Sequence, residues 1–188
     1  MAHFAEIRSS DNAVLRVVVI NDSDIAANGG EYSSESETWV ANNIPNDSTL
    51  DLELYRERYW KQTSYNTRNN QHYTKDENGL PVLSEDQTKA KRFRYAAQFG
   101  TYDPAEDIFI DPKPFASWTL DANNRWQPPV AMPPDFVSTV NSQTNNQPYR
   151  LHPSWDEENQ RWYVEDVEVD NTTTITRIWN PETSSWEN

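Results

Sequence analysis

The stretch WDEENQRW, residues 155–162, has a counterpart in WNPETSSW, residues 179–186. Each holds two tryptophans seven positions apart, with polar, turn-forming residues between them. Residues facing one another across an antiparallel hairpin are equidistant from its turn. Trp155 therefore faces Trp162 across a turn centred between Glu158 and Asn159, and Trp179 faces Trp186 across one between Glu182 and Thr183. In NPET, Pro181 supplies the fixed φ that a type I turn wants at its second position, with Asn180 before it. The linking segment WYVEDVEVDNTTTITRIW (162–179) has its best turn pair at Asp170-Asn171, and a turn there sets Trp162 opposite Trp179.

Three turns chosen separately thus bring Trp155, Trp162, Trp179 and Trp186 level, as one row on one face of a four-stranded antiparallel meander. Val164 and Ile175 share that face, with Asp166, Glu168 and Arg177 toward the tips. Tyr163, Val167, Val169 and Ile178 take the other. Cross-strand aromatic pairs add about 0.2–1 kcal/mol each. A sheet this small has little else to pack on, so the row is first a structural device. A single-residue slip at the Asp170 turn would carry two of the rings to the opposite side.

The composition sharpens that need. The chain has 188 residues, 35 % of them hydrophobic, with a net charge of −14. Low aliphatic content and high charge lean toward disorder. Eight Trp, nine Tyr and six Phe pull the other way, because each buries on the order of 150–250 Å². The chain reads as mostly β: antiparallel hairpins with little helix, and a C-terminal Trp-rich sheet. With no cysteine, disulfides and thiolate chemistry are excluded. No apolar run approaches a membrane span and nothing reads as a secretory leader, so no membrane partner is expected. Strong acidity argues against direct nucleic-acid binding. The local exception, KAKRFR (89–94), carries four cations in six residues and reads as a solvated strand flank rather than a phosphate contact.

Along the chain, HFAEIR (3–8) and NAVLRVVVI (12–20) flank the turn SSDN as a hairpin. NDSDIAANGG (21–30) suits one or two helical turns. STLDLELYRERYW (48–60) fits a short helix or a strand, and DENGLP (76–81) a turn. FRYAAQFGTYD and DIFIDPKPF read as strands around Pro104-Ala105-Glu106. SWTLDANNRWQPP (117–129) repeats the tryptophan motif, with Trp118 and Trp126 about a turn at 121–124. The proline-dense PPVAMPP (128–134) fits neither a helix nor a central strand. The expected organisation is a β-rich region at 1–126, an extended connector at 127–150 and a Trp-hairpin module at 151–188.

No catalytic constellation stands out. His3, His72 and His152 are far apart and lack metal-type spacing. The alternating Asp166, Glu168 and Asp170 read as a solvated face blunting a strand edge rather than a calcium site. A non-enzymatic chain with no cofactor, metal or catalytic residue is expected, and what remains is binding. Trp155, Trp162, Trp179 and Trp186 suit either a protein interface or stacking on sugar rings.

Three further blocks carry a family resemblance: MAHFA (1–5); KQTSYNTR with HY (61–73); and YD, DIFIDPKPFASWTL and RWQPPVAMP (102–133). Together, over about residues 1–134, they resemble a family of small proteins of tailed marine bacteriophages, cyanophage-like in character. Family members commonly carry glycines where this chain has Asn69-Asn70, and a shorter middle. The resemblance implies a phage-encoded, virion-located protein and carries over no catalytic residue. Major capsid or other virion proteins are then the expected partners, with the N-terminal region as particle anchor and self-association as a further mode. A capsid decoration role ranks ahead of a tail component. The alternatives are a module recognising a host-surface glycan through the Trp row, and an acidic intracellular phage factor that binds a host protein by mimicking nucleic acid.

Overall fold

A computed structural model describes residues 1–45, 57–138, 148–167 and 174–188. Strands make up 41 % and helices 12 % of these, so the chain is mostly β and antiparallel. It divides into two compact units, Met1–Pro112 and Lys113–Asn188. Trp118, Trp126 and the proline stretch 128–134 belong to the second unit.

In the first unit, β1 (Ala2–Arg8) lies between β2 (Val14–Ile20) and β3 (Arg58–Thr63), antiparallel to both. The hairpin over 3–20 is the expected one. Its turn places Asn12 in the left-handed region that asparagine tolerates. Two short helices, α1 (Asp22–Ala27) and α2 (Ser34–Asn43), follow β2. The sequence reading had no counterpart for α2, although Ser33 caps it by accepting from the Ser36 amide at 3.0 Å. The segment expected as helix or strand at 48–60 is described only from residue 57, where it runs into β3.

Burial on both faces explains why β1 is almost wholly interior. Ala2 and Phe4 pack with Ile20, Ile25, Val40 and Trp60, while Ala5 and Ile7 pack with Val14, Ala96, Tyr102 and Phe109. The same strand carries Glu6, whose side chain is 1 % exposed. Arg16 of β2 reaches it at 2.5 Å, and Arg58 of β3 bonds its other oxygen.

A smaller sheet, β4 (Thr67–Arg68), β5 (Gln71–Lys75) and β6 (Pro81–Leu83), follows in that order. Asn69 and Asn70 join β4 to β5 with φ of 49° and 60°. Glycine is the natural occupant of such positions and asparagine the next best. The DENGLP turn forms as expected, with Asp76 Oδ1 accepting from the Asn78 and Leu80 amides. Of FRYAAQFGTYD only its end becomes a strand, β7 (Thr101–Asp103), paired with β8 (Ile108–Ile110). The part before it instead turns through Arg92, Phe93 and Phe99, all at positive φ. Gly100 is required here, because a Cβ would sit 2.5 Å from the Ile110 carbonyl oxygen.

KAKRFR is a solvated flank only in part: Lys89 and Lys91 are exposed, whereas its two arginines are turned inward. The Arg92 side chain is 8 % exposed and bonds Glu37 of α2 and Asp107, each at 2.7 Å, and Arg94 pairs with Asp111. Burial pulls the Arg92 pKa down, but the two carboxylates more than offset it and leave it raised. Arg92 is structural because it shares with Lys61 the compensation of Glu37, a carboxylate held in the interior by a helix.

In the second unit, β9 (Thr119–Leu120) pairs with β10 (Trp126–Gln127), and β11 (Phe136–Ser138) with β12 (Tyr149–Leu151). The meander follows in sequence order as β13 (Ser154–Asp156), β14 (Arg161–Val167), β15 (Thr174–Asn180) and β16 (Ser185–Glu187). Trp155 faces Trp162, and Trp179 faces Trp186. Tyr163 faces Ile178, and that register carried one step further sets Trp162 opposite Trp179. The inferred alignment is therefore the observed one, while the Asp170-Asn171 turn, Glu168 and Val169 lie outside the described residues.

Replacing Glu6 by alanine leaves the Arg58 side chain, 10 % exposed, without its carboxylate. Chemical denaturation of Glu6→Ala is expected to show a loss of roughly 3–5 kcal/mol. A loss below about 1 kcal/mol, the value of a surface pair, would contradict the clamp.

Candidate functional site

The two tryptophan hairpins share one local device. Asp156 accepts from the Asn159 amide at 3.2 Å, and Asn180 from the Glu182 amide at 2.9 Å. Each four-residue turn then closes on a left-handed residue, Gln160 or Ser184. YDPAEDIF (102–109) in the first unit is a third copy. Asp103 accepts from the Ala105 amide at 2.8 Å, Asp107 is the left-handed residue, and Tyr102 faces Phe109. An Asp or Asn directly after the first aromatic is the signal for this turn. Trp118 lacks it, since Asp121 stands three positions on. The register there pairs Trp126 with Leu120, so Trp118 and Trp126 do not form the expected pair.

The indole rings meet edge to face at 5.1 Å for Trp155–Trp162 and 5.4 Å for Trp179–Trp186. The row does not face outward. Trp155 and Trp162 are 7 % and 4 % exposed, and Trp179 and Trp186 are half-buried. Trp118 lies edge-on to both Trp155 and Trp162, and Phe136 lies edge-on to Trp186. The proline stretch docks here as well, because the Val130 carbonyl accepts from Trp162 Nε1 at 2.8 Å. Glu157 ties the edge together, accepting from Ser117 and from Trp155 Nε1. Those bonds, Ser117's first, hold its carboxyl below the usual range.

As a glycan-stacking surface Trp155 and Trp162 are therefore corrected to interior residues: they pack edge to face with Trp118 and with each other, and the Trp162 N–H is bonded to the proline segment. Asp166 is corrected too. It is 5 % exposed, accepting from Tyr149 Oη at 2.7 Å and from Arg177 Nε at 3.1 Å, because it shares the packed face with Trp162 and Val164. A partner-binding role for the row now rests on the half-buried Trp179 and Trp186.

Sequence reading missed a cleft in the first unit. It has a volume of about 710 Å³ and lies between the start of β1, the end of β3, β5 and the loop that follows β6. His3 forms part of its lining, edge-on between Tyr65 at 5.2 Å and Tyr95 at 5.7 Å. Burial lowers the His3 pKa from its ordinary 6.5. His72, on β5, is fixed by Gln87, whose side chain accepts from its amide at 2.9 Å and donates to its carbonyl at 3.0 Å. Lys89 and Lys91 stand exposed on one wall and Glu31 on another. The Lys91 amide is held by Thr67 Oγ1 at 3.3 Å. A second recess of about 400 Å³ shares Tyr65 and is lined by Arg68, Asn69 and Arg94. No sequence motif marks this cleft, because its walls come from segments up to ninety residues apart.

His152 is exposed and meets Asp135 at 2.8 Å. Among the described residues, no three His, Asp or Glu side chains converge as a metal-holding group. Comparison of the chain with protein-family models, curated proteins and solved structures returns no match.

Trp162 and Trp118 make opposite predictions on truncation to phenylalanine. Trp162 Nε1 has an acceptor, whereas the buried Trp118 Nε1 has none among the described residues. Trp162→Phe is expected to cost about 1 kcal/mol more than Trp118→Phe, read by denaturation followed in the far ultraviolet. Equal costs would contradict the docking of Val130.

His3 provides a pH test. Its neutral form is the one that folding favours, so this contribution is intact above pH 6.5 and declines as pH falls below it. NMR titration of the imidazole is expected to give a midpoint under 6.5; a higher value contradicts burial between the two tyrosines.

Proposed function

We propose that the chain is a non-enzymatic virion protein, an accessory or decoration component of a phage capsid, attached through its first unit. The observation that carries this reading is the outer strand β6. It occupies the edge of its sheet and exposes Val82 and Leu83 at 40 % and 54 %, next to Leu80 at 60 %. Exposed apolar edges are normally blunted by charge or covered, because they invite another strand. A neighbouring virion protein that packs there would cover the apolar side chains and accept from the outward Leu83 amide, Pro81 having none.

Two further features support attachment over chemistry. The interior charges of the first unit are compensated: Glu6 by two arginines, Glu37 by Lys61 and Arg92, and Arg92 also by the exposed Asp107. Tyr102 donates to Asp107, and burial together with that bond raises its pKa far above the ordinary value. In the second unit the tryptophans serve as core. The particle context of this reading rests on the resemblance of three sequence blocks to phage proteins.

Quantitative mass spectrometry of washed particles is the test. The protein is expected at many copies per particle, and Val82→Lys with Leu83→Lys is expected to lower that number while leaving the isolated chain folded. Absence from particles would overturn the proposal, and a count of one or two copies would remove the decoration role.

A further inference from the structure

We propose that the cleft of the first unit binds a small acidic saccharide, a sugar ring bearing one phosphate, sulfate or carboxylate group. Its volume of about 710 Å³ lies within the range of small-ligand sites, roughly 300–1,000 Å³. Three properties of the lining define the ligand.

The first is charge. The protein carries −14 overall, yet this wall collects Lys89 and Lys91 against the single carboxylate Glu31. Lys89 reaches only an exposed Asp86, at 3.7 Å, and no carboxylate pairs with Lys91 among the described residues. Ammonium groups so placed favour an anion. The second is an aromatic platform. Tyr65 is 52 % exposed, and its ring is braced by His3, itself braced by Tyr95. A braced ring loses little freedom when the apolar face of a sugar stacks on it. The third is the ring of short polar groups, Ser64, Asn66 and Thr88, which suits a ligand rich in hydroxyls.

Size follows from the overall field. A long polyanion, whether nucleic acid or acidic polysaccharide, meets repulsion from the rest of the surface wherever it leaves the cleft. A single acidic sugar unit stays close to the lysines. The second recess beyond Tyr65 adds Arg68, but its Arg94 is already paired with Asp111 in the same lining, so it extends the site by at most one further unit.

The test is NMR titration of the full chain with glucose 6-phosphate, glucuronate and N-acetylglucosamine 6-sulfate. Glucose, inorganic phosphate and a short single-stranded oligonucleotide are the comparison probes. At least one acidic sugar is expected to bind saturably and shift the signals of Tyr65, His3 and His72. Glucose and phosphate should each bind at least about tenfold more weakly. The three acidic sugars distinguish which anionic group is preferred. Lys91→Ala and Tyr65→Ala, both at exposed positions, should each weaken binding about tenfold with the far-ultraviolet spectrum unchanged, whereas Lys75→Ala outside the cleft should not. The proposal is overturned by no saturable binding of any acidic sugar, by phosphate binding equally well with Tyr65→Ala unaffected, or by tighter binding of the oligonucleotide. None of these outcomes depends on whether the chain is found in particles.

Discussion

One short hydrogen-bonding pattern governs the packing in both units. An Asp or Asn follows an aromatic residue and accepts from amides inside the next turn, fixing that turn at four residues. The second aromatic must then land opposite the first. Asp103, Asp156 and Asn180 each do this, and the aromatic pairs beside them are Tyr102–Phe109, Trp155–Trp162 and Trp179–Trp186. Aromatic cores need rings at defined angles as well as proximity. A turn of fixed length provides that geometry without any help from distant sequence.

Charge in the interior is the complementary feature. β1 is packed on both faces and yet carries the buried Glu6. Arginines on the two flanking strands close on it from either side, and Arg16 also lies 5.7 Å from the centre of the Trp60 ring. This arrangement locks the three strands in register, since a slip of one residue would separate the carboxylate from both partners. Specificity of this kind is a better account of a buried ion pair than net stability.

The second half of the chain was legible because its signals are local. The Trp155–Trp162 and Trp179–Trp186 hairpins follow from spacing and turn chemistry, and the pairing of β14 with β15 has the expected register. Where the signal was not local, reading failed for identifiable reasons. Trp118 and Trp126 have a similar spacing but no Asx residue next to the first ring, so the turn is displaced. The arginines of KAKRFR looked as solvated as its lysines because Glu37 and Asp107, which engage Arg92, are far away in sequence. Asp166 looked like part of an acidic edge because alternation tells which side a residue takes, but not which side is covered. The cleft around His3 and Tyr65 was invisible for the same reason, being made by tertiary convergence alone.

The aromatic hairpins have a consequence for how the molecule comes into being. A contact between residues seven apart requires closing only a very short loop, so each pair can form on the microsecond scale of an isolated hairpin. A hydrophobic interior usually waits for remote segments to find one another. Here, part of the interior of each unit can nucleate as the ribosome releases it, before the chain downstream exists.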